Sequence, residues 1–184
     1  SGNIKLEFMN LNLNELVQQV NGEFAERFES RNLDLICILQ PEPLLICADS
    51  RRIWRVLENL YVNVCKYAMP GTRVYVDAIR KDGKIQFSIK NISENALNCE
   101  ADELTERFIR GDVSRSTEGS GLGLSIAKNL TVLQHGTFDI YLDGDLFKVT
   151  ITFDEAVKEK KPEASGYTAK PEMPEEDLEK PSSD

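Results

Sequence analysis

A glycine-rich turn that leads directly into a helical pattern is the first stretch of this chain suited to holding an anion. Its sequence is STEGSGLGLSIAKNL over residues 116–130, with glycines at Gly119, Gly121 and Gly123. The amides and the positive dipole end of a helix start stabilise phosphate, and glycine lets the backbone approach closely. The string is neither GxxxxGK[ST] nor a GxGxxG turn after a strand, so a flexible turn remains the alternative.

Three arginines, Arg107, Arg110 and Arg115, stand shortly before this turn. A guanidinium group can bind phosphate oxygens through two parallel hydrogen bonds. The surrounding residues 91–120 show no sustained periodicity, and so long a loop inside a compact domain is usually a functional lid. We therefore predict a cationic lid with one short helix at 102–108, although any one of these arginines could be a solvated charge.

A second candidate group lies on a predicted helix at residues 51–68, where Asn59, Asn63 and Lys66 recur at i, i+4 and i+7. Asparagine is a poor helix former, and a solvated helix face usually takes Glu, Lys or Gln. An amide oxygen is a suitable Mg²⁺ ligand, and a lysine one turn further can meet phosphate. The stripe therefore indicates a functional surface, with a solvated face as the alternative.

The remaining periodicity predicts the elements that must position these groups. Strands are predicted at 4–9, 33–39, 44–48, 73–80, 84–90, 137–142 and 147–153, and helices at 13–29, 51–68 and 121–134. The second and third strands are expected to pair through a tight turn at Gln-Pro-Glu-Pro, and Asp-Gly between the next two predicts a hairpin. The order predicts an α/β fold, a two-layer sandwich in which about three helices cover one face of a mixed β-sheet.

Length and charge limit the possible classes of protein. The chain has 184 residues and a formal net charge of −9, which argues against nonspecific binding to nucleic acid or to an anionic membrane surface. Residues 1–154 are expected to form one domain. Residues 155–184 hold four of the seven prolines and nine acids against five lysines, so we predict an acidic, Pro-rich disordered tail.

The cysteines and the single histidine are interpreted as structural. Cys37, Cys47 and Cys65 lie in apolar or helical patterns and are predicted to be reduced core thiols. His135 precedes Gly136 at a predicted helix end, where glycine would take the C′ position and histidine would lie near the negative dipole end. No acidic residue stands near His135 in the sequence, so it is a poor candidate for a phosphorylated nucleophile.

Residues 1–154 as a whole resemble the catalytic and ATP-binding domain of bacterial sensor histidine kinases, in the superfamily shared with DNA gyrase. RVLENLYVNVCKYA is similar to the N box of that family, N-x-x-x-N-A-x-K-Y. ELTERFIRGDVSRS is similar to the F box with its following arginine, and EGSGLGLSIAKNL is similar to the G2 box, the most specific of the three. The resemblance implies a Bergerat-type sandwich with a long ATP lid, and it implies ATP and Mg²⁺ as ligands.

The resemblance also implies a role for each matching residue of the second helix. Asn63 would bind Mg²⁺, and Asn59 would lie close to the metal or the phosphates. Lys66 would face phosphate as a catalytic group, and Tyr67 would line the nucleotide pocket.

For the lid, the resemblance implies that Phe108 anchors it and that Arg110 or Arg115 approaches the γ-phosphate as a catalytic group. The nucleotide-binding turn would comprise Gly119, Ser120, Gly121, Leu122, Gly123 and Leu124.

One motif departs from the family pattern. The G1 box is usually D-x-G-x-G, and its Asp accepts a hydrogen bond from the adenine amino group. Here the segment is IKNISENALN, with Asn91 at the Asp position and both glycines absent. The Asn91 carbonyl oxygen can still accept that hydrogen bond, so we expect weakened ATP binding.

The resemblance implies that this chain binds Mg-ATP and supplies the γ-phosphoryl for a histidine on a separate helical dimerisation domain, which is absent here. A response regulator receiver domain would then accept the phosphoryl group. The parent would be a homodimeric, membrane-anchored bacterial protein with this domain in the cytoplasm. Two alternatives remain open, a catalytically impaired nucleotide-binding pseudokinase module and a serine kinase of the anti-sigma type.

Overall fold

Seven strands and three helices make up the part of the chain that the computed structural model describes, residues 5–97 and 122–157. In chain order they are β1 (Phe8–Asn12), α1 (Leu13–Ser30), β2 (Asp34–Leu39), β3 (Leu45–Asp49), α2 (Ser50–Tyr67), β4 (Arg73–Lys81), β5 (Lys84–Ile92), α3 (Leu122–Leu133), β6 (Thr137–Asp143) and β7 (Leu146–Asp154). All three predicted helices are therefore present.

The main sheet has five strands in the order β2-β4-β5-β7-β6. Strand β2 is parallel to β4, and the other neighbours are antiparallel, so the sheet is mixed as predicted. The β4–β5 hairpin closes at Asp82 and Gly83, both with positive φ (53° and 73°), as expected for an Asp-Gly turn.

The predicted pairing of the second and third strands is wrong. Strand β3 pairs with β1 in a separate two-stranded sheet, whereas β2 pairs with β4. The segment between β2 and β3 is bound to the start of α1, because Asn14 Nδ2 donates to the carbonyls of Gln40 (3.0 Å) and Glu42 (2.9 Å). These contacts direct β3 away from β2.

The core lies between the main sheet and the helices. Alternate residues of the central strands are buried on one side of the sheet, including Val76, Phe87 and Ile151. Helices α1 and α2 meet through aromatic side chains, with Phe28 stacked on Tyr61 at 5.8 Å between ring centroids. The arrangement confirms the predicted two-layer α/β sandwich.

The end of α3 differs from the prediction. His135, not Gly136, takes the left-handed C′ position, with φ 67°. The His135 N–H donates to the Val132 carbonyl (3.0 Å) and the Gly136 N–H to the Thr131 carbonyl (2.9 Å), which completes a Schellman motif. Glycine is needed at 136 for space, because a Cβ there would lie 2.6 Å from Cε1 of Phe153.

The prediction for the cysteines is correct only in part. Cys47 is exposed on β3, because strand alternation turns it away from the buried side chains of Ile46 and Ala48. Cys37 and Cys65 are partly buried free thiols, and burial raises the pKa of both.

The residues just after β7 remain attached to the domain. The N–H of Glu155 donates to the Gly83 carbonyl (3.0 Å), and that of Ala156 to the Leu45 carbonyl (2.8 Å). Arg80 forms ion pairs with both Glu42 (2.9 Å) and Glu155 (2.8 Å). The predicted disordered tail beyond Val157 lies outside the described residues.

No helix among the described residues is both long enough and apolar enough to cross a membrane.

Candidate nucleotide-binding site

A small pocket of about 40 Å³ lies between α2 and the start of α3. It is lined by Asn59, Val62, Asn63, Lys66, Tyr67, Gly123 and Leu124. Gly123, the last glycine of the predicted turn, is therefore brought together with the Asn/Lys stripe, although about sixty residues separate them in the sequence. A larger open cleft of about 580 Å³ lies elsewhere, and it includes none of these side chains.

Helix α2 presents the stripe because its apolar and polar residues occupy neighbouring faces. Its buried residues include Ile53, Leu57, Leu60 and Val64, which hold the helix against the core. Asn59 and Asn63 lie next to that face and are half-buried, while Lys66 is exposed. The helix therefore holds the two amides at fixed positions and leaves the lysine free to move.

The amide group of Asn59 carries an unpaired nitrogen. Its Nδ2 is buried and has no hydrogen-bond partner among the residues that the structure describes. Buried polar groups are nearly always paired, and an amide N–H requires an acceptor such as a phosphate oxygen. The contact of Asn59 with the metal or the phosphates, which the family resemblance implies, stays a prediction.

The neighbouring Asn63 has the amide oxygen that a hard cation such as Mg²⁺ accepts as a ligand. Within the described residues no group of three or more His, Cys, Asp or Glu side chains could hold a metal. Mg²⁺ commonly uses few protein ligands and takes the rest from water and substrate phosphates. The residues present thus fit Mg²⁺ bound together with a phosphate.

The opposite wall is the first turn of α3, which begins at Leu122. A Cβ added at Gly123 would have nothing within 4 Å, so the backbone here faces open space. Leu124 is buried and fixes the turn in the core. The N–H groups at a helix start, together with the positive end of the helix dipole, are suited to an anion.

Asn91 lies at the end of β5, where the strand is bound to the C-terminal end of α2. The Met69 N–H donates to the Ile92 carbonyl (2.8 Å), and the Glu94 N–H donates to the Tyr67 carbonyl (2.8 Å). Asn91 is only 2% exposed, and its Oδ1 has no hydrogen-bond partner among the described residues. It does not line the 40 Å³ pocket itself.

Ser93 and Asn95 stand at the two glycine positions of the G1 pattern, and they fix the segment after Asn91. The Ser93 hydroxyl donates to the Asn95 carbonyl (2.7 Å), and the Ser93 N–H donates to the Asp145 carbonyl (2.7 Å). Glycine at 93 could make the backbone bond but not the hydroxyl bond, so the altered G1 segment gains one hydrogen bond from its serine.

Several predicted site residues lie in segment 98–121, outside the described residues: Phe108, Arg110, Arg115, Gly119, Ser120 and Gly121. The side chain of Leu122 is likewise outside the described part. The roles expected of all these residues therefore stay predictions.

Sequence reasoning missed two features of this region. Val62 lines the pocket, and its spacing from Asn59 and Lys66 on one helix could have revealed it. Gln134 is buried at the end of α3 and accepts a hydrogen bond from the Asp49 N–H (2.9 Å). That contact joins α3 to the start of α2, and no local pattern indicated it.

A helix with two inward amides, facing a glycine-containing helix start above a mixed sheet, defines a nucleotide-binding α/β domain without a P-loop. The family described as histidine kinase-, DNA gyrase B-, and HSP90-like ATPase matches residues 48–168. This chain therefore belongs to that family of ATPases.

Named relatives agree with this assignment. The signal transduction histidine-protein kinase BaeS of Escherichia coli strain K12 is 30% identical over 123 residues, which is 66% of this chain and 26% of that protein. The chain thus spans about a quarter of that relative. The nucleotide-free catalytic domain of histidine kinase ThkA is 25% identical with a TM-score of 0.71, covering 82% of this chain and 97% of that domain.

A second structure shows the same fold in a larger assembly. It contains histidine kinase ThkA in complex with the response regulator protein TrrA. It is 24% identical with a TM-score of 0.67, and it covers 84% of this chain and 44% of that one. The described part of this chain thus has the fold of a histidine kinase catalytic domain.

Proposed function

We propose that this domain binds Mg-ATP and positions the γ-phosphoryl group for transfer to a histidine on a separate helical dimerisation domain. The observation that carries the proposal is the single pocket that joins Asn59, Asn63 and Lys66 of α2 to Gly123 at the start of α3. Family membership supports ATP as the nucleotide.

The chemistry that this site must supply is mostly positioning and charge neutralisation, because phosphoryl transfer requires little else from a protein. In the proposal, the Asn59 amide and the first amides of α3 donate to phosphate oxygens, and the Lys66 ammonium neutralises their charge. Asn63 would hold Mg²⁺, which when bound screens the negative charge between neighbouring phosphate groups. Tyr67 would cover the nucleotide from the end of α2.

The acceptor histidine must come from outside the described domain. His135 lies just beyond the far end of α3, about 18 Å along the helix axis from Gly123. Its ring is stacked on Phe8 at 5.7 Å between centroids. A receiver domain is the proposed next acceptor, by analogy with the ThkA complex with TrrA. We extend the proposal to a homodimeric, membrane-anchored parent with this domain in the cytoplasm.

Calorimetric titration of the full chain with Mg-ATP tests the nucleotide site. We expect Asn63→Ala to weaken Mg-ATP binding by about tenfold to a hundredfold, since it removes a contact to a charged ligand. Asn129→Ala makes the same chemical change at an exposed position of α3 and should leave affinity unchanged. No heat of binding at millimolar Mg-ATP, or equal effects of the two variants, would refute the proposed site.

A second candidate function is nucleotide sensing without transfer. It is favoured by the fixed G1 segment, where the Ser93 hydroxyl bonds the Asn95 carbonyl. Mixing the chain with a histidine-bearing dimerisation domain and labelled ATP separates the candidates. Phosphohistidine supports the first function, and intact nucleotide binding without transfer supports the second. Phosphoserine on a partner protein would instead indicate the serine kinase alternative.

A further inference from the structure

The C-terminal end of α2, which carries the pocket residues Lys66 and Tyr67, is bound from outside the helix. The last carbonyls of a helix have no partner within it and must receive hydrogen bonds from elsewhere. Here the Cys65 carbonyl accepts from Nε of Arg31 (2.8 Å), and the Ala68 carbonyl accepts from Nη2 of Arg31 (3.2 Å). One side chain at the end of α1 thus binds the carbonyls on either side of Lys66 and Tyr67.

The segment that follows β5 joins the same group of contacts. The Glu94 N–H donates to the Tyr67 carbonyl (2.8 Å), and Oε2 of Glu94 lies 3.7 Å from Nη2 of Arg31. Ala68 also forms an isolated antiparallel bridge with Ser93. Because Ser93 and Glu94 belong to the altered G1 segment, Arg31 links that segment to the last turn of α2.

The backbone that carries Arg31 is itself fixed. Arg31 is the C-cap of α1, where its N–H donates to the Arg27 carbonyl (3.1 Å), and the next carbonyl, that of Asn32, accepts from the Gly71 N–H (2.7 Å). A guanidinium presents several donors in one rigid plane, whereas the ammonium of a lysine is a single point charge. Binding two carbonyls and a carboxylate together therefore depends on the shape of the Arg31 side chain as well as on its charge.

We propose that Arg31 is a positioning residue of the nucleotide site, which sets the last turn of α2 and thereby the direction in which Lys66 and Tyr67 enter the pocket. Arg31 does not line the pocket, so it acts only through these neighbours. The inference rests on the proposed function and extends it to a residue outside the motifs of the site.

Calorimetric titration with Mg-ATP compares the native chain with two variants of Arg31. Arg31→Ala should weaken binding by about tenfold, because Lys66 and Tyr67 are then misplaced. Arg31→Lys should weaken it by only about threefold, since it keeps a positive charge near the helix end but not both hydrogen bonds. Arg55→Ala makes the same change at an exposed position of α2 outside the pocket and should leave affinity unchanged. Equal affinity of the native chain and Arg31→Ala would overturn the inference.

A double-mutant cycle separates positioning from a general loss of stability. In a Lys66→Ala background, the effect of Arg31→Ala should fall from about tenfold to about threefold or less, because one of the two side chains that Arg31 positions is already absent. An unchanged tenfold effect would show that Arg31 does not act through Lys66, and the inference would be wrong. If Arg31→Ala does not fold, Arg31→Lys is used in the same cycle, where its threefold effect should disappear.

Hydrogen exchange of the nucleotide-free chain gives a measurement that needs no ligand. The N–H groups of Ala68 and Glu94 should exchange faster in Arg31→Lys than in the native chain, whereas those shared between β5 and β7 should not change. Unchanged exchange at both amides would show that the last turn of α2 is held without Arg31, which contradicts the inference.

The failure of the inference and the failure of the proposed function are distinguishable. If the native chain does not bind Mg-ATP, the nucleotide site itself is refuted, and the positioning role is refuted with it. If the native chain and the Arg31 variants bind Mg-ATP equally well, the site stands and only the role of Arg31 is refuted.

Discussion

Two buried polar residues, Asp49 and Asn91, differ in how far hydrogen bonds within the described residues satisfy their side chains. The Asp49 carboxylate accepts from the backbone N–H groups of Glu7 (2.9 Å), Arg51 (3.0 Å) and Arg52 (3.1 Å). It thereby caps α2 and ties down the segment before β1. The Asn91 amide has no partner among the described residues. The fold thus supplies hydrogen-bond partners for the Asp49 carboxylate, whereas the described residues supply none for the Asn91 amide.

The cap at Asp49 predicts a pH dependence of stability. The Glu7 N–H lowers the pKa of Asp49, and the Arg51 and Arg52 N–H groups and the Arg52 charge act in the same direction against the effect of burial. Because the folded pKa lies below the unfolded value of about 4, the ionised group stabilises the fold fully above that pH. The stabilisation is lost as the pH falls through the folded pKa.

We therefore expect Asp49→Asn to lower the free energy of unfolding by about 1–2 kcal/mol at pH 7, because one amide end would oppose the Glu7 N–H. The difference from the native chain should shrink below about pH 4. Urea unfolding at several pH values measures it. A difference that stays constant down to pH 3 would contradict the assignment of the cap.

At the scale of elements, the C-terminal end of α3 shows how tertiary packing determines which residue takes the left-handed position after a helix. The local sequence favours glycine at the left-handed C′ position, yet His135 occupies it. Gly136 is required one residue later, where Phe153 and Thr131 leave no room for a Cβ. The packing of α3 on β7 therefore decides which residue takes which position.

A matched pair of substitutions tests this account of the glycine. Gly136→Ala should destabilise the domain by about 1–3 kcal/mol, because the new methyl group must displace the Phe153 ring. Gly22→Ala on α1 has nothing within 4 Å of its Cβ and should stabilise by about 0.5–1 kcal/mol through helix propensity. Thermal unfolding gives both values. If the two substitutions change stability similarly, the Phe153 ring moves away from the new methyl group at no cost, and the steric account of Gly136 is wrong.

At the scale of the whole molecule, the mixed sheet supports a helical layer in which α2 contacts both α1 and α3. The proposed site lies at one end of α3 and His135 lies beyond the other, with its ring held against Phe8. The separation along the helix is about 18 Å, so an in-line attack by this histidine on a nucleotide in the pocket is out of reach.

The chain alone should therefore bind Mg-ATP without phosphorylating itself. Incubation with γ-labelled ATP, followed by denaturing electrophoresis under alkaline conditions, measures any phosphohistidine. Label should appear only on an added histidine-bearing dimerisation domain, and His135→Gln should leave that transfer unchanged. Acid-labile label on His135 would refute this arrangement.

The sequence by itself determined the helices, the β4–β5 hairpin and the stripe of Asn59, Asn63 and Lys66. These follow from spacing within one element, which side-chain periodicity and turn chemistry control locally. The strand predicted at 84–90 extends to Ile92 in the structure, so Asn91 lies within β5 and not at the start of the predicted lid.

Only the tertiary structure decided the partners of β2 and β3, the conformation of His135 and the exposure of Cys47. Strand pairing joins distant residues, and any neighbouring strand can satisfy the same backbone groups, so short-range patterns do not select the partner. For the same reason, the meeting of Gly123 with Asn59 and the unpaired burial of Asn91 depend on how α2, α3 and β5 pack together.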